Sequence, residues 1–306
     1  MKTMAILRTT VLAFAASSLP AVAEPAIYET PEQAVEAFVA AVDASDREAF
    51  LVVFGPESED LIESDDPEEQ AAARDEFMAA YQELAEIVDD EDGRKVLQIG
   101  LERWPFPVSM IQVEGGWRFD PDGAREEILD RRIGENELDV IAVLQRAVAL
   151  QSDYRKTDWD GDGVMEFARS IISTPGQRDG LYWPEDMGEP LSPIGAFIAQ
   201  ASADGVAIDG VDQGPVPYLG YYFRVLTKQG PSAPGGAYDY LVADQMIGGH
   251  ALLAYPADPG QTGVMSFMVA ENGVVYEADL GADTVAIADA IDTFDPGEGW
   301  APVTVE

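Results

Sequence analysis

Val264-Met265-Ser266-Phe267-Met268-Val269-Ala270-Glu271-Asn272-Gly273-Val274-Val275-Tyr276 reads as two apolar runs joined by Asn272-Gly273. Asn-Gly accommodates the positive φ angles of a tight hairpin, so residues 264–269 and 274–276 are expected to pair antiparallel. Upstream, residues 221–226 and 251–255 are further β-rich runs punctuated by Gly and Pro. Asp283 is placed to cap a closing helix through Val285, Ile287 and Ile291. Earlier in the chain, Asn136 is expected to open a long helix with an apolar stripe of Val140, Ile141, Leu144, Ala147 and Val148, ending near Tyr154. A long helix followed by an antiparallel meander makes an α+β domain over residues 136–303, with Gly134 marking its start.

The preceding segment has its own punctuation. Thr30-Pro31-Glu32-Gln33 is a capping box with Pro at the first helical position, followed by the stripe Ala34, Val35, Phe38, Val39 and Val42. Asp46 is placed to cap a second helix carrying Phe50, Leu51, Val53 and Phe54, and Gly55 to stop it. Asp66-Pro67-Glu68-Glu69 predicts a third helix running to about Ile87. Residues 95–101 and 107–113 read as strands, with a turn at Gly115-Gly116, a return strand through Trp117-Arg118-Phe119 and a charged helix over about 122–132. These elements give a first α+β domain over residues 27–133.

Composition narrows the function. The 306 residues hold 18 Lys and Arg against 57 Asp and Glu, a net charge of −39. Nucleic-acid binding is excluded because phosphate recognition needs a clustered cationic surface. The chain has no Cys and one His, which removes disulfides, thiolate nucleophiles and Cys- or His-rich metal sites. Lys2 and Arg8 precede a short apolar stretch, and Ala21-Val22-Ala23 precedes Glu24, the order of a secretory signal over residues 1–23. A periplasmic or secreted location follows, and nothing after Ala23 has the length and hydropathy of a transmembrane segment.

Asp158, Asp160 and Asp162 alternate in a loop with Gly161 and Gly163, the spacing of the first half of an EF-hand. Three carboxylates aimed at one centre suit calcium, with the Val164 carbonyl as a further ligand. The twelfth loop position holds Arg169 in place of the usual acid, so Glu166 at the ninth would have to complete the set. The other reading is a solvated Asx-turn loop with no ion. His250 follows Gly248-Gly249 with no nucleophile elbow in the sequence and is read as a structural or surface residue. Asp179, Glu185 and Asp186 surround Tyr182-Trp183 and form an aromatic and acidic cluster suited to glycan chemistry, or simply a packed loop. Trp104, Phe106, Met110, Trp117 and Phe119 are candidates to line a pocket in the first domain, or to fill its core. Tyr182, Trp183, Tyr238, Tyr240, Trp104 and Trp117 are the candidate ligand or partner contacts, and no residue is assigned a catalytic role.

The Thr30 to Phe38 opening and its element order resemble domains similar to nuclear transport factor 2. That resemblance implies a cone-like helix-plus-curved-sheet unit wrapped around a pocket. The long helix, the Asp-rich loop, Gly220-Tyr221-Tyr222-Phe223-Arg224, Ala254-Tyr255-Pro256 and the hairpin at 263–276 resemble type IV pilin-like and pseudopilin headgroups. Over nearly all of the chain the motif order is similar to a bacterial exported family, domain of unknown function 2950. The segments carrying this likeness are Trp104-Pro105-Phe106-Pro107, Gly116-Trp117-Arg118-Phe119-Asp120, Asp179-Gly180-Leu181-Tyr182-Trp183-Pro184 and Gly235-Gly236-Ala237-Tyr238-Asp239-Tyr240. Together these readings lead to the expectation of a two-domain α+β protein, exported and non-enzymatic, that binds or scaffolds an envelope protein or glycan and holds a structural calcium. The alternative is a carboxylate-dependent hydrolase acting on envelope glycans.

Overall fold

The computed structural model describes residues 24–61, 67–90, 92–195, 202, 206–208, 211–213 and 215–304. The signal segment and Asp66 lie outside them. The chain is a mixed α+β protein of two compact units that divide between Glu127 and Ile128.

In the first unit, α1 (Pro31–Asp43) begins as the capping box dictates, Thr30 Oγ1 accepting from the Gln33 N–H at 3.3 Å. In α2 (Arg47–Phe54), Asp46 Oδ1 accepts from the Ala49 N–H at 3.0 Å, and Gly55 ends the helix at φ +88°. α3 covers Pro67–Glu83 and stops short of Ile87, which instead belongs to β1 (Ala85–Asp89). β2 (Lys95–Ile99), β3 (Trp104–Pro105), β4 (Met110–Val113) and β5 (Gly116–Phe119) complete a sheet of order β1-β2-β4-β5, with β3 also on β2. On the outer side of β5, Tyr28 and Trp117 exchange a pair of backbone hydrogen bonds, each 2.8 Å.

This sheet is open, and the cone expected from the sequence is not formed. Closure would require the first and last strands to pair, whereas β1 pairs with β2 and β5 with β4. Aromatic side chains pack against one another in the interior of this unit. Phe38 meets Phe106, Phe54, Phe77 and Phe119 at centroid distances of 4.9, 5.2, 5.2 and 5.8 Å. Each edge-on pair contributes about 0.5–1.5 kcal/mol beyond its buried area.

A second correction concerns Gly134. Helix α4 runs without interruption from Pro121 to Tyr154, 34 residues, absorbing both helices expected on either side of that glycine. Asn136 does not cap it and instead donates through Nδ2 to the Thr262 carbonyl at 2.9 Å.

In the second unit, β6 (Ser170–Ile172) and β7 (Gly180–Tyr182) form a parallel pair, and β8 (Val206–Ile208) and β9 (Val211–Gln213) an antiparallel one. The principal sheet is antiparallel and takes β10 (Tyr221–Leu226), β15 (Ala251–Pro256), β16 (Met265–Ala270), β17 (Val275–Asp279) and β18 (Ala301–Pro302) in that order. Two ribbons, β11 (Lys228–Gln229) with β12 (Tyr238–Asp239) and β13 (Leu241–Val242) with β14 (Gln245–Met246), interrupt the route from β10 to β15. Helix α5 (Thr284–Asp289) follows β17, although Asp283 makes no side-chain cap. The Asn-Gly hairpin forms with Val269 opposite Val275, Gly273 at φ +73° and its N–H donated to the Ala270 carbonyl at 2.9 Å. Every residue of β15 is buried, and Val140, Ile141 and Leu144 of α4 share one core with this sheet. No helix among the described residues is long and apolar enough to cross a membrane.

Candidate functional site

Two places in the second unit concentrate polar chemistry. The first is the acidic loop that leaves α4. Its base is anchored by Gln151, fully buried, which donates to and accepts from the backbone of Ala168 at 2.9 Å in both directions. Trp159 folds inward, stacks on Tyr154 at 5.5 Å, approaches Trp183 at 4.9 Å and donates Nε1–H to the Tyr154 carbonyl at 2.8 Å.

With both ends held, the loop turns on its own carboxylates. Asp158 accepts from the Gly161 and Gly163 N–H groups at 2.8 and 2.9 Å, and Asp162 Oδ1 from the Val164 N–H at 2.8 Å. Gly163, at φ +92°, permits the final turn. One carboxylate oxygen from each of Asp158, Asp160 and Asp162 lies within 4.8 Å of the other two. Hydrogen bonds from Gly163 and Gly161 hold the Asp158 carboxyl below its ordinary range, although burial opposes them.

Glu166 is outside that group of three. Its Oε2 accepts from the Met246 N–H at 2.6 Å, and Gln245 Nε2 donates to Asp162 Oδ2, so the loop is tied at two points to the β13–β14 ribbon. Burial raises the Glu166 pKa, the Met246 bond opposes it, and the charges of Asp160 and Asp162 push it further up. A cation placed among the aspartates would relieve that repulsion.

The second place is a cavity of about 280 Å³ at the end of the principal sheet, beneath the β11–β12 ribbon. Gln229, Tyr238, Tyr240, His250, Glu271 and Phe294 are among its walls. Gln229 braces the ribbon, donating to the carbonyls of Pro234 and Gly236 at 2.8 and 2.6 Å and accepting from the Tyr240 hydroxyl at 3.0 Å. Gly249, at φ +145°, lets the chain pass the Tyr240 ring, where a Cβ would come within 3.0 Å.

His250 is fully buried, and neither ring nitrogen has a hydrogen-bond partner among the described residues. Leaving a buried polar atom unpaired costs about 1–3 kcal/mol. Burial, assisted by the Arg155 guanidinium, pushes its pKa down to about 4, so the imidazole is neutral at pH 7. Arg155 lies over the Phe167 ring at 4.3 Å and 3.6 Å from Glu271, while Phe167 packs against His250 at 4.6 Å. The sequence offers His250 no nucleophile elbow and so marks it only as a structural or surface residue; its environment comes from residues far away in the chain.

The remaining sequence candidates separate. Tyr182, Trp183 and Tyr240 are buried, whereas Trp104 and Tyr238 are 48% and 45% exposed and Trp117 is half-buried beneath Lys95, 5.8 Å from its ring centroid. Tyr182 and Trp183 therefore offer no open platform to a glycan. Met110 and Phe119 are buried in the first unit's core, and Phe106 packs against it partly buried. Asp179 is fully engaged: it takes the Arg169 guanidinium at 2.7 Å, the Thr174 N–H at 2.7 Å and the Thr174 hydroxyl at 2.8 Å. Burial opposes ionisation of Asp179, but the Thr174 and Arg169 bonds prevail and hold its pKa low.

The four motif segments thus have structural places: Trp104–Pro105 forms β3, residues 116–119 form β5, residues 180–182 form β7, and residues 235–240 pass along the cavity. Their family model, described as a protein of unknown function, DUF2950, matches residues 26–303. The chain belongs to that family. No curated protein and no solved structure matches it, so the likenesses to transport-factor and pilin domains gain no support. Both the acidic loop and the His250 cavity lie inside the DUF2950 match.

Proposed function

We propose that this DUF2950 protein is exported to the bacterial envelope and acts there by binding, as a scaffold, with a structural calcium in the loop of Asp158, Asp160 and Asp162. The observation that carries the reading is the gathering of three aspartate oxygens within 4.8 Å in a loop tied to a neighbouring ribbon through Gln245 and Met246. An ion at that point, with the Val164 carbonyl and Glu166 in reach of the sequence spacing, would fix the ribbon and the loops beyond it. The segment at 230–239, with Tyr238 exposed, is the contact region this reading favours. The pilin-like reading of the second unit agrees with a long helix and antiparallel sheet sharing a core, and it remains a likeness in element order. Hydrolysis at Asp179 is disfavoured, because a carboxylate already holding an Arg, a hydroxyl and an N–H is poorly free to move protons.

Titration calorimetry with calcium on the metal-free protein tests the loop. A single saturable site and a calcium-dependent rise in Tm are expected, both lost in Asp160→Ala. Absence of saturable heat in the wild type, or unchanged binding in the variant, would leave only an Asx-turn loop.

A further inference from the structure

We infer that a second cavity in this unit binds one alkyl carboxylate, with the hydrocarbon chain inside and the carboxylate on Arg146. The cavity measures about 470 Å³, within the usual range of about 300–1,000 Å³ for small-molecule sites. It shares no lining residue with the His250 cavity or the acidic loop. Helix α4 forms one wall through Asp139, Ala142, Val143, Arg146, Ala147 and Leu150, the three-and-four spacing of a single helical face. The neighbouring face, with Val140, Ile141 and Leu144, is committed to the core of the principal sheet. Ala142 and Ala147 put the shortest side chains toward the cavity, which leaves the gap unfilled. The strands contribute Ile171, Leu181, Phe223 and Leu252, all buried.

The wall chemistry selects the ligand. Among the described residues, only Asp139, Arg146 and Tyr218 bring polar side-chain atoms to this cavity, and every other lining side chain is hydrocarbon. A sugar, a nucleoside or a peptide backbone would have to bury hydroxyl or amide groups there without partners. A hydrocarbon chain meets no such penalty and gains by leaving water. Charge then chooses the head. Arg146 is the one cation on the described wall and makes no hydrogen bond or ion pair among the described residues, in a chain with 57 acids against 18 Lys and Arg. Asp139 lies about two helical turns before it, and Asp153, about two turns after, takes Lys156 at 2.6 Å. A guanidinium fork matches a carboxylate through two parallel N–H donors. Arg146 is exposed, so the head stays at the mouth in contact with water while the chain is buried. Asp139 on the same face repels a second anionic group, which selects a ligand with one head. The net charge of −39 opposes any anion at long range, but salt screens that repulsion more than a direct contact.

The site goes beyond the calcium reading and is independent of it. Calorimetry on the full chain tests it, in calcium-free buffer at about 0.15 M salt. The probes are octanoate, decanoate and dodecanoate below their micelle concentrations, with decanol as the uncharged control. One saturable site is expected, tightening about fifteenfold from octanoate to decanoate, as roughly fourfold per buried methylene requires. Arg146→Gln, at an exposed position, should weaken decanoate about fivefold, the worth of one exposed ion pair, and leave decanol unchanged. Ala142→Trp, also at an exposed position, should block the cavity and abolish binding of both. No saturable binding by any of the three acids, equal affinity for octanoate and decanoate, decanoate indifferent to Arg146→Gln, or decanoate indifferent to Ala142→Trp in a folded variant would each overturn the assignment. A protein that binds calcium but no alkyl carboxylate would remove this site and leave the calcium loop in place.

Discussion

Lowering the pH from 7 to 4 should cost the wild-type protein about 3 kcal/mol of stability that a His250→Gln variant keeps. The imidazole titrates at about 4 in the fold against an ordinary value of 6.5, because burial and the Arg155 charge both disfavour the cation. Between those two values the unfolded chain takes up a proton that the folded chain refuses, so stability falls as pH falls. A displacement of about 2.5 units, at 1.36 kcal/mol each, gives about 3 kcal/mol, nearly all of it lost by pH 4. Carboxylates also titrate over the lower part of this range, and with 57 of them the absolute stability of either protein will move for other reasons. Those contributions are common to both proteins, and the difference between them isolates the imidazole. Urea unfolding followed by Trp fluorescence and circular dichroism at pH 7, 6, 5 and 4 supplies that difference. Parallel stability curves for the two proteins would show that His250 is not a buried neutral group and would refute the environment described for it.

Two further outcomes follow from other parts of the chain. Asp179→Asn should destabilise the protein by about 1–3 kcal/mol, since it removes the nearer carboxylate from the Arg169 guanidinium, which keeps Asp244 at 3.7 Å, and weakens the bonds from Thr174; an unchanged Tm would reopen Asp179 as a functional acid. Mass spectrometry of the exported protein from its native host should find Glu24 at the N-terminus, and recovery of intact Met1 from that fraction would dispose of the export signal.

What the sequence made legible was local. Thr30, Asp46 and Gly55 act where their side chains or φ angles require, and Asn272-Gly273 turns the hairpin, because each of these effects is settled within a few residues. The alternating aspartates converge for the same reason. Gly134 misled because one helical glycine costs only about 1 kcal/mol, which the packing of Val140, Ile141 and Leu144 on the sheet outweighs. The expected cone failed because sheet closure depends on which strands meet and on how Phe38 fills the interior, neither of which a run of apolar residues reveals. The His250 cavity was hidden for a related reason: its walls come from residues 229 to 294, and no single stretch announces them.

The backbone pair between Tyr28 and Trp117 has a consequence for self-association. An edge strand with free N–H and C=O groups is a template on which a second chain can pair, and β5 is such an edge. By docking there, the segment at Tyr28 occupies the groups of Trp117 and interrupts the template before it can be read by a neighbour. The guard depends on an absent side chain: a Cβ on Gly116 would stand 2.0 Å from the Tyr28 carbonyl oxygen, so glycine at the start of β5 is what admits the covering segment.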